Sequence, residues 1–180
     1  RVSGIGAFHP ACAFPKGEIT RLRPGTCFGV DGSRTALAVA ELLAADLKGR
    51  AVHIEAAVRP LYHAAAVLSS NAVHAAVAEA RRVLIDVGVD GAVAESLCVS
   101  LATSALQNAE MSGLDAALTG PVARGDTDLI RRHLQSLVQS PSALSVYREM
   151  SLSIVRLARE ARCADEAALD SIEDLLKSDP

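Results

Sequence analysis

The sequence predicts a mainly α-helical protein in which an incomplete α/β segment precedes an all-helical domain. Three observations carry this reading. Short strand-like apolar stretches occur only in residues 1–55 of the 180. From Ala56 onward the apolar residues recur at helical spacing. Alanine supplies 33 residues while aromatics make up 3%, with no tryptophan, a composition suited to closely approaching helices because alanine has the best helix propensity.

Taken in order, Arg1 to Phe8 reads as a strand or strand end, His9-Pro10 closes it, and a loop runs to about Gly25. Cys27-Phe28-Gly29-Val30 is a second strand, and Asp31-Gly32-Ser33 a turn and N-cap. Thr35 to Lys48 places Leu37, Ala40, Leu43, Ala44 and Leu47 on one helical face, with Gly49 as C-cap. Ala51 to Ile54 is a third strand. One strand–helix–strand unit with an extra strand is too little for a free-standing α/β domain.

Helices follow. Val58 to Val87 reads as one helix of roughly 45 Å, stopped by Gly88. Its first two-thirds are apolar nearly all round, which predicts a buried central helix. Pro60 sits in the first turn, where proline is tolerated. Asp90 to Met111, closed by Ser112-Gly113, is the next helix. Asp126 or Thr127 caps another, to about Gln139. Ser140-Pro141-Ser142 starts a fourth, to about Arg162, and Asp165 to Lys177 is a short acidic fifth.

The formal net charge of −3, without a basic stripe or an aromatic stacking platform, argues against nucleic-acid binding. Every apolar run is interrupted before membrane-spanning length, and the N-terminus lacks signal-peptide organisation. Cys12, Cys27, Cys98 and Cys163 are scattered without a CxxC pair, which fits a reducing cytoplasm and thiols packed as small hydrophobes. No His, Cys or carboxylate spacing suggests a metal site. Gly4-Ile5-Gly6 has His9 where a dinucleotide fingerprint needs its third glycine, so it carries no phosphate-binding signal.

Two stretches could carry chemistry. In Leu61-Tyr62-His63-Ala64-Ala65-Ala66-Val67-Leu68-Ser69-Ser70-Asn71, polar groups interrupt an apolar helix, where they cost free energy unless satisfied. On an ideal helix His63, Ser70 and His74 share a narrow arc flanked by Arg59 and Asn71. They read either as satisfied core polar groups that fix helix register or as the wall of a cleft. The loop Leu118 to Asp126 offers backbone N–H groups, the Thr119 hydroxyl and Arg124 beside a helix N-terminus, an arrangement able to hold an anion. It reads equally as an ordinary connection with Arg124 in solvent. Arg124-Gly125-Asp126 spells an adhesion tripeptide, which we read as coincidence before a helix.

His9-Pro10, Leu61 to Ala66 with Ser70-Asn71, and Ala117-Leu118-Thr119-Gly120-Pro121-Val122-Ala123-Arg124-Gly125-Asp126 occur in that order. Together they resemble the Rossmann-like oxidoreductases that end in a helical domain of unknown function. These are similar to pyrroline-5-carboxylate reductase, ketopantoate reductase and the β-hydroxyacid dehydrogenases, with a helical domain like the C-terminal domain of 6-phosphogluconate dehydrogenase. The resemblance implies a remnant of a Rossmann-like domain in residues 1–55 and a helical substrate-binding and dimerisation domain in residues 56–180. It implies NADP or NAD as cofactor, a homodimer, and a small carboxylate-bearing carbonyl, hydroxy or imine substrate.

The glycine fingerprint is missing, so the chain looks like the C-terminal piece of a longer protein, inactive when isolated. In the β-hydroxyacid dehydrogenases a catalytic lysine precedes an asparagine by one helical turn. With Asn71 in that place the lysine position is Val67, and His63 lies one turn further upstream. The implied catalytic pair is His63, an imidazole able to act as acid near neutral pH, and Asn71. The implied substrate contacts are Arg124, Thr119, Ser70, Arg59 and His9. A non-catalytic dimerisation module is the alternative.

Overall fold

A computed structural model describes residues 4–17 and 21–178; Arg1 to Ser3, the start of the first predicted strand, lie outside them. The chain is mainly helical with a small mixed sheet near the N-terminus, as the sequence predicts. It divides into two compact units, residues 1–73 and 74–180.

In the first unit β1 (Gly6–Pro10) pairs antiparallel with β2 (Cys27–Gly32), which pairs parallel with β3 (Arg50–His53). The helix α1 (Arg34–Asp46) forms the crossover from β2 to β3. Ser33 caps it by accepting the Ala36 N–H at 3.3 Å. Phe28, Val30, Ala40 and Ala44 form the core between sheet and helix, with Phe8 stacked on Phe28 at 4.6 Å. The predicted glycine cap at Gly49 is corrected: Lys48 takes the left-handed conformation, with φ 55°. Gly49 instead lets the backbone approach Phe28, since a Cβ there would lie 2.4 Å from the ring.

The single long helix expected over Val58 to Val87 is broken. After a 3₁₀ turn at Ala56–Val58 come α2 (Arg59–Ser69) and α3 (Asn71–Asp86), with Ser70 between them at φ −128° and ψ −72°. Ser69 and Ser70 each turn a hydroxyl back to a carbonyl four residues earlier, Ala65 at 2.8 Å and Ala66 at 2.7 Å. Such back-bonding bends helices and competes with the helical ladder. The expected central burial is also overturned. Neither α2 nor α3 has a buried residue, and Leu61 and Leu68 are 72% and 68% exposed. An all-round apolar pattern requires cover from several sides, and the described residues cover α2 mainly through a few side chains on the sheet.

In the second unit α4 (Gly91–Ser112) starts at the Asp90 cap and ends at Gly113, with φ 86°. A single turn, α5 (Leu114–Ala117), and a 3₁₀ turn at Val122–Arg124 follow, neither of them predicted. Then come α6 (Thr127–Leu137), α7 (Pro141–Ala161) and α8 (Glu166–Lys177), close to their predicted bounds. Their core unites Val122, Ile130, Leu134, Val155, Leu169 and Ile172. Arg159 of α7 fastens α8 by donating to Glu166, Asp170 and Glu173, each at 2.5 Å. Lys177 and Arg159 together draw the Glu173 carboxyl down to about 2.

Among the described residues no helix is long and apolar enough to cross a membrane. Cys98 is buried, as expected of a small hydrophobe, but Cys163 is exposed.

Ile172 is fully buried in the α6–α8 core, so Ile172→Ala is expected to cost about 2–5 kcal/mol of stability in chemical denaturation. A loss under about 1 kcal/mol, typical of surface substitutions, would contradict this packing.

Candidate functional site

The site is built on the alternation of β2. Side chains along a strand point to opposite faces in turn, so Phe28 and Val30 enter the core with α1 while Gly29 and Asp31 meet α2. Asp31 accepts a hydrogen bond from Arg59 in the first turn of α2 and lies 3.7 Å from His53 Nε2. The Arg59 guanidinium, ahead of the Gly32 N–H, holds the Asp31 carboxyl below the usual carboxylate range. One turn along, Tyr62 lies over Gly29, where a Cβ would come within 2.8 Å of its hydroxyl oxygen. That hydroxyl is 2.7 Å from Nδ1 of His9 on β1.

His63 completes a cluster of rings. Its centroid is 5.7 Å from His9 and 5.6 Å from Tyr62, all in edge-to-face arrangement. This cluster closes one end of a cleft of about 600 Å³ between α2 and the residues that follow β1, including Cys12. At the other end are Ser70 and Asn71, at the helix break. Ser70 Oγ lies 3.0 Å from Asn71 Oδ1 and 2.7 Å from the Ala66 carbonyl, and its one hydroxyl proton serves one of these acceptors at a time.

Four of the predicted residues therefore come together: His9, His63, Ser70 and Asn71. The shared arc of His63, Ser70 and His74 on an ideal helix does not form, because the helix is interrupted at Ser70. The core reading of His63 and Asn71 also falls away, since both side chains are exposed. Arg59 pairs with Asp31 while 46% of its side chain stays exposed. Tyr62 had no separate signal in the sequence: its hydroxyl partner is 53 residues away, beyond any local pattern.

Thr119 and Arg124 belong to the second unit, and both are exposed. Within their loop, the N–H groups of Arg124, Gly125 and Asp126 bond to the carbonyls of Pro121 and Val122. The Asp126 carboxylate caps α6 by accepting the Leu129 N–H at 3.1 Å. These three backbone donors are thus occupied, while the Arg124 side chain is exposed.

The cleft suits a small polar molecule. It offers two imidazoles, a phenol, an amide and hydroxyls against an alanine-rich wall. Among the described residues no Lys, Arg, Asp or Glu lines it, so it offers no such side chain to the pyrophosphate of a dinucleotide. No group of three metal-ligating side chains occurs among the described residues.

The profile of a family described as "Domain of unknown function (DUF2520)" matches residues 26–154. Among solved structures, protein TM1727 from Thermotoga maritima superposes with a TM-score of 0.77 at 24% identity, over 87% of this chain and 62% of its own. The putative NADP oxidoreductase BF3122 from Bacteroides fragilis gives 0.62 at 20% identity, over 96% of this chain and 58% of its own. These likenesses are of fold, and the chain spans about three-fifths of either structure's length. No functionally curated protein matches the sequence.

The Asp31–Arg59 pair makes the seating of α2 sensitive to acid. Because the folded-state carboxyl is held low, its contribution is present above the ordinary aspartate pKa of about 3.9 and disappears as pH falls through the lower folded value. Asp31→Asn is expected to speed amide exchange in α2 at neutral pH while α1 keeps its protection. Unchanged α2 exchange would show that the pair does not hold the helix.

Proposed function

The chain belongs to this DUF2520 family, and we propose that it is the C-terminal portion of a longer NAD(P)-dependent oxidoreductase. Its substrate is a small carboxylate-bearing carbonyl, hydroxy or imine compound. The observation that carries this reading is the cleft itself, which His9 of β1 lines together with His63 of α2 and Ser70 and Asn71 at the helix break. The likeness in fold to BF3122, named as a putative NADP oxidoreductase, supports it.

The cofactor is assigned to a nucleotide-binding domain outside this chain, because the cleft carries no basic residue for its phosphates. When bound there, a nicotinamide supplies or accepts the hydride. This chain's residues handle the rest. Protonated His63 gives its proton to the substrate oxygen or nitrogen in reduction, and neutral His63 takes it back in oxidation. Asn71, at the other end of the cleft, donates to a second polar group of the substrate and orients it. His9 contacts the substrate's remaining polar groups.

His63→Ala in the full-length protein is expected to lower turnover by roughly 10²–10⁴-fold, the range of general acid–base catalysis, with helical circular dichroism unchanged. NADPH is expected to bind the full-length protein and not this chain. Undiminished turnover would remove His63 from the chemistry, and NADPH binding by neither form would overturn the oxidoreductase reading.

We further propose that the helical unit pairs as a homodimer. On α4, Val93, Leu97 and Leu101 follow one another at four-residue spacing and are 52%, 49% and 72% exposed. Residues four apart share a helix face, so the three form an apolar stripe that the described residues leave about half exposed or more, and a two-fold partner offers the same stripe in return. Sedimentation should show a concentration-dependent dimer that the double substitution Leu97→Asp and Leu101→Asp converts to a folded monomer. A wild-type chain that stays monomeric at all concentrations would refute the pairing.

A further inference from the structure

The hydrogen bond between Tyr62 and His9 constrains more than ring position. Tyr62 Oη lies 2.7 Å from His9 Nδ1, with the two rings at 88° and their centroids 5.6 Å apart. A phenol hydroxyl has one proton to donate. Among the described residues His9 Nδ1 is the acceptor within reach of the Tyr62 hydroxyl. Donation from Tyr62 requires Nδ1 to be unprotonated, and a neutral imidazole then carries its hydrogen on Nε2. His9 also lines the cleft, and its Nε2 has no partner among the described residues.

The seat that enforces this arrangement is Gly29. A methyl group there would sit 2.8 Å from Tyr62 Oη and 2.9 Å from Cζ, below any ordinary van der Waals contact. Tyr62 therefore depends on a strand position without a side chain. Neither the ring-to-ring contact with His63 nor the Asp31–Arg59 pair would fix the His9 tautomer by itself.

We propose that Tyr62 is a positioning residue that holds His9 as its Nε2–H tautomer, and that this N–H is the cleft's donor to a carboxylate oxygen of the substrate. The inference rests on the reading of the cleft as a substrate site. It separates the labour between the two imidazoles: His63 moves the proton, and His9 holds the acidic end. The chemical class recognised is a small carboxylic acid that bears a second polar carbon, of which a 2-oxo acid is the simplest member. The cleft has no carboxylate of its own to repel such an anion.

The test is nitrogen NMR of histidine-labelled chain, which reads the two ring nitrogens separately, with pyruvate as the carboxylate probe. In the wild type, His9 should show an unprotonated Nδ1 and a protonated Nε2, and the Nε2 signal should move as pyruvate is added. Tyr62→Phe keeps the ring but removes the donor, and should give His9 signals averaged between tautomers. Gly29→Ala should do the same by lifting the ring, giving a second route to the same readout. His9→Ala should weaken pyruvate binding about tenfold or more, as loss of a hydrogen bond to a charged group does.

A His9 protonated on Nδ1 in the wild type, or signals unchanged in Tyr62→Phe, would overturn the tautomer assignment. A fixed tautomer whose signals ignore pyruvate would overturn the carboxylate role. Neither readout depends on turnover. If His9 behaves as stated while the full-length protein reduces nothing with NADPH, the oxidoreductase reading alone fails. If turnover depends on His63 while His9 ignores the probe, this inference alone fails.

Discussion

The first unit depends on a single strand serving two faces. Within Cys27–Gly32, the residues that enter the core and those that meet α2 alternate, as strand geometry dictates. Phe28 and Val30 are almost wholly buried against α1. Gly29 and Asp31 make no core, and their value lies in what they omit or offer: an absent side chain under Tyr62 and a carboxylate for Arg59. A one-residue slip of register would exchange these sets, placing Asp31 in the core and a phenylalanine under α2. The hydrophobic effect that fixes the sheet on α1 therefore also fixes where the cleft's rings stand.

Much of the fold was legible because it is local. The strand–loop–strand–helix–strand order of residues 4–55 follows from short apolar stretches and turn residues. Helices α4, α6, α7 and α8 follow from caps such as Asp90, Asp126 and Pro141 and from apolar residues at helical spacing. The break at Ser70 was misread because the apolar pattern continues across it. The decisive signal was the Ser69-Ser70 pair, whose hydroxyls can compete for the helix's own carbonyls. The burial of α2 was misread for a related reason. An apolar surface states what a helix needs to be covered by, and not which part of an assembly supplies the cover.

The site was legible in part. His9, His63, Ser70 and Asn71 stood out as polar groups in apolar surroundings or within a family motif, and they line one cleft. Tyr62 and Gly29 did not stand out. A tyrosine in a helix and a glycine in a strand are each unremarkable, and their meaning arises only when the sheet and α2 are brought together. Arg59 illustrates the converse. It stood out in the sequence, but its carboxylate partner Asp31, 28 positions earlier in the chain, did not. The loop around Arg124 is similar: the N–H groups of Arg124, Gly125 and Asp126 look available in sequence and are taken by Pro121 and Val122 in space.

The contact between Gly29 and Tyr62 has a consequence for how such a chain can change over generations. As long as position 62 holds a tyrosine, even one methyl group at position 29 forces the ring out of its seat. If position 62 shrinks first, position 29 is released, but His9 then loses its partner. The three positions form a ratchet in sequence space, in which the order of substitution decides what is viable. A glycine whose backbone angles any residue could adopt would then be held in place by a side chain 33 positions further on, and would look freely replaceable to any reading that considered the strand alone.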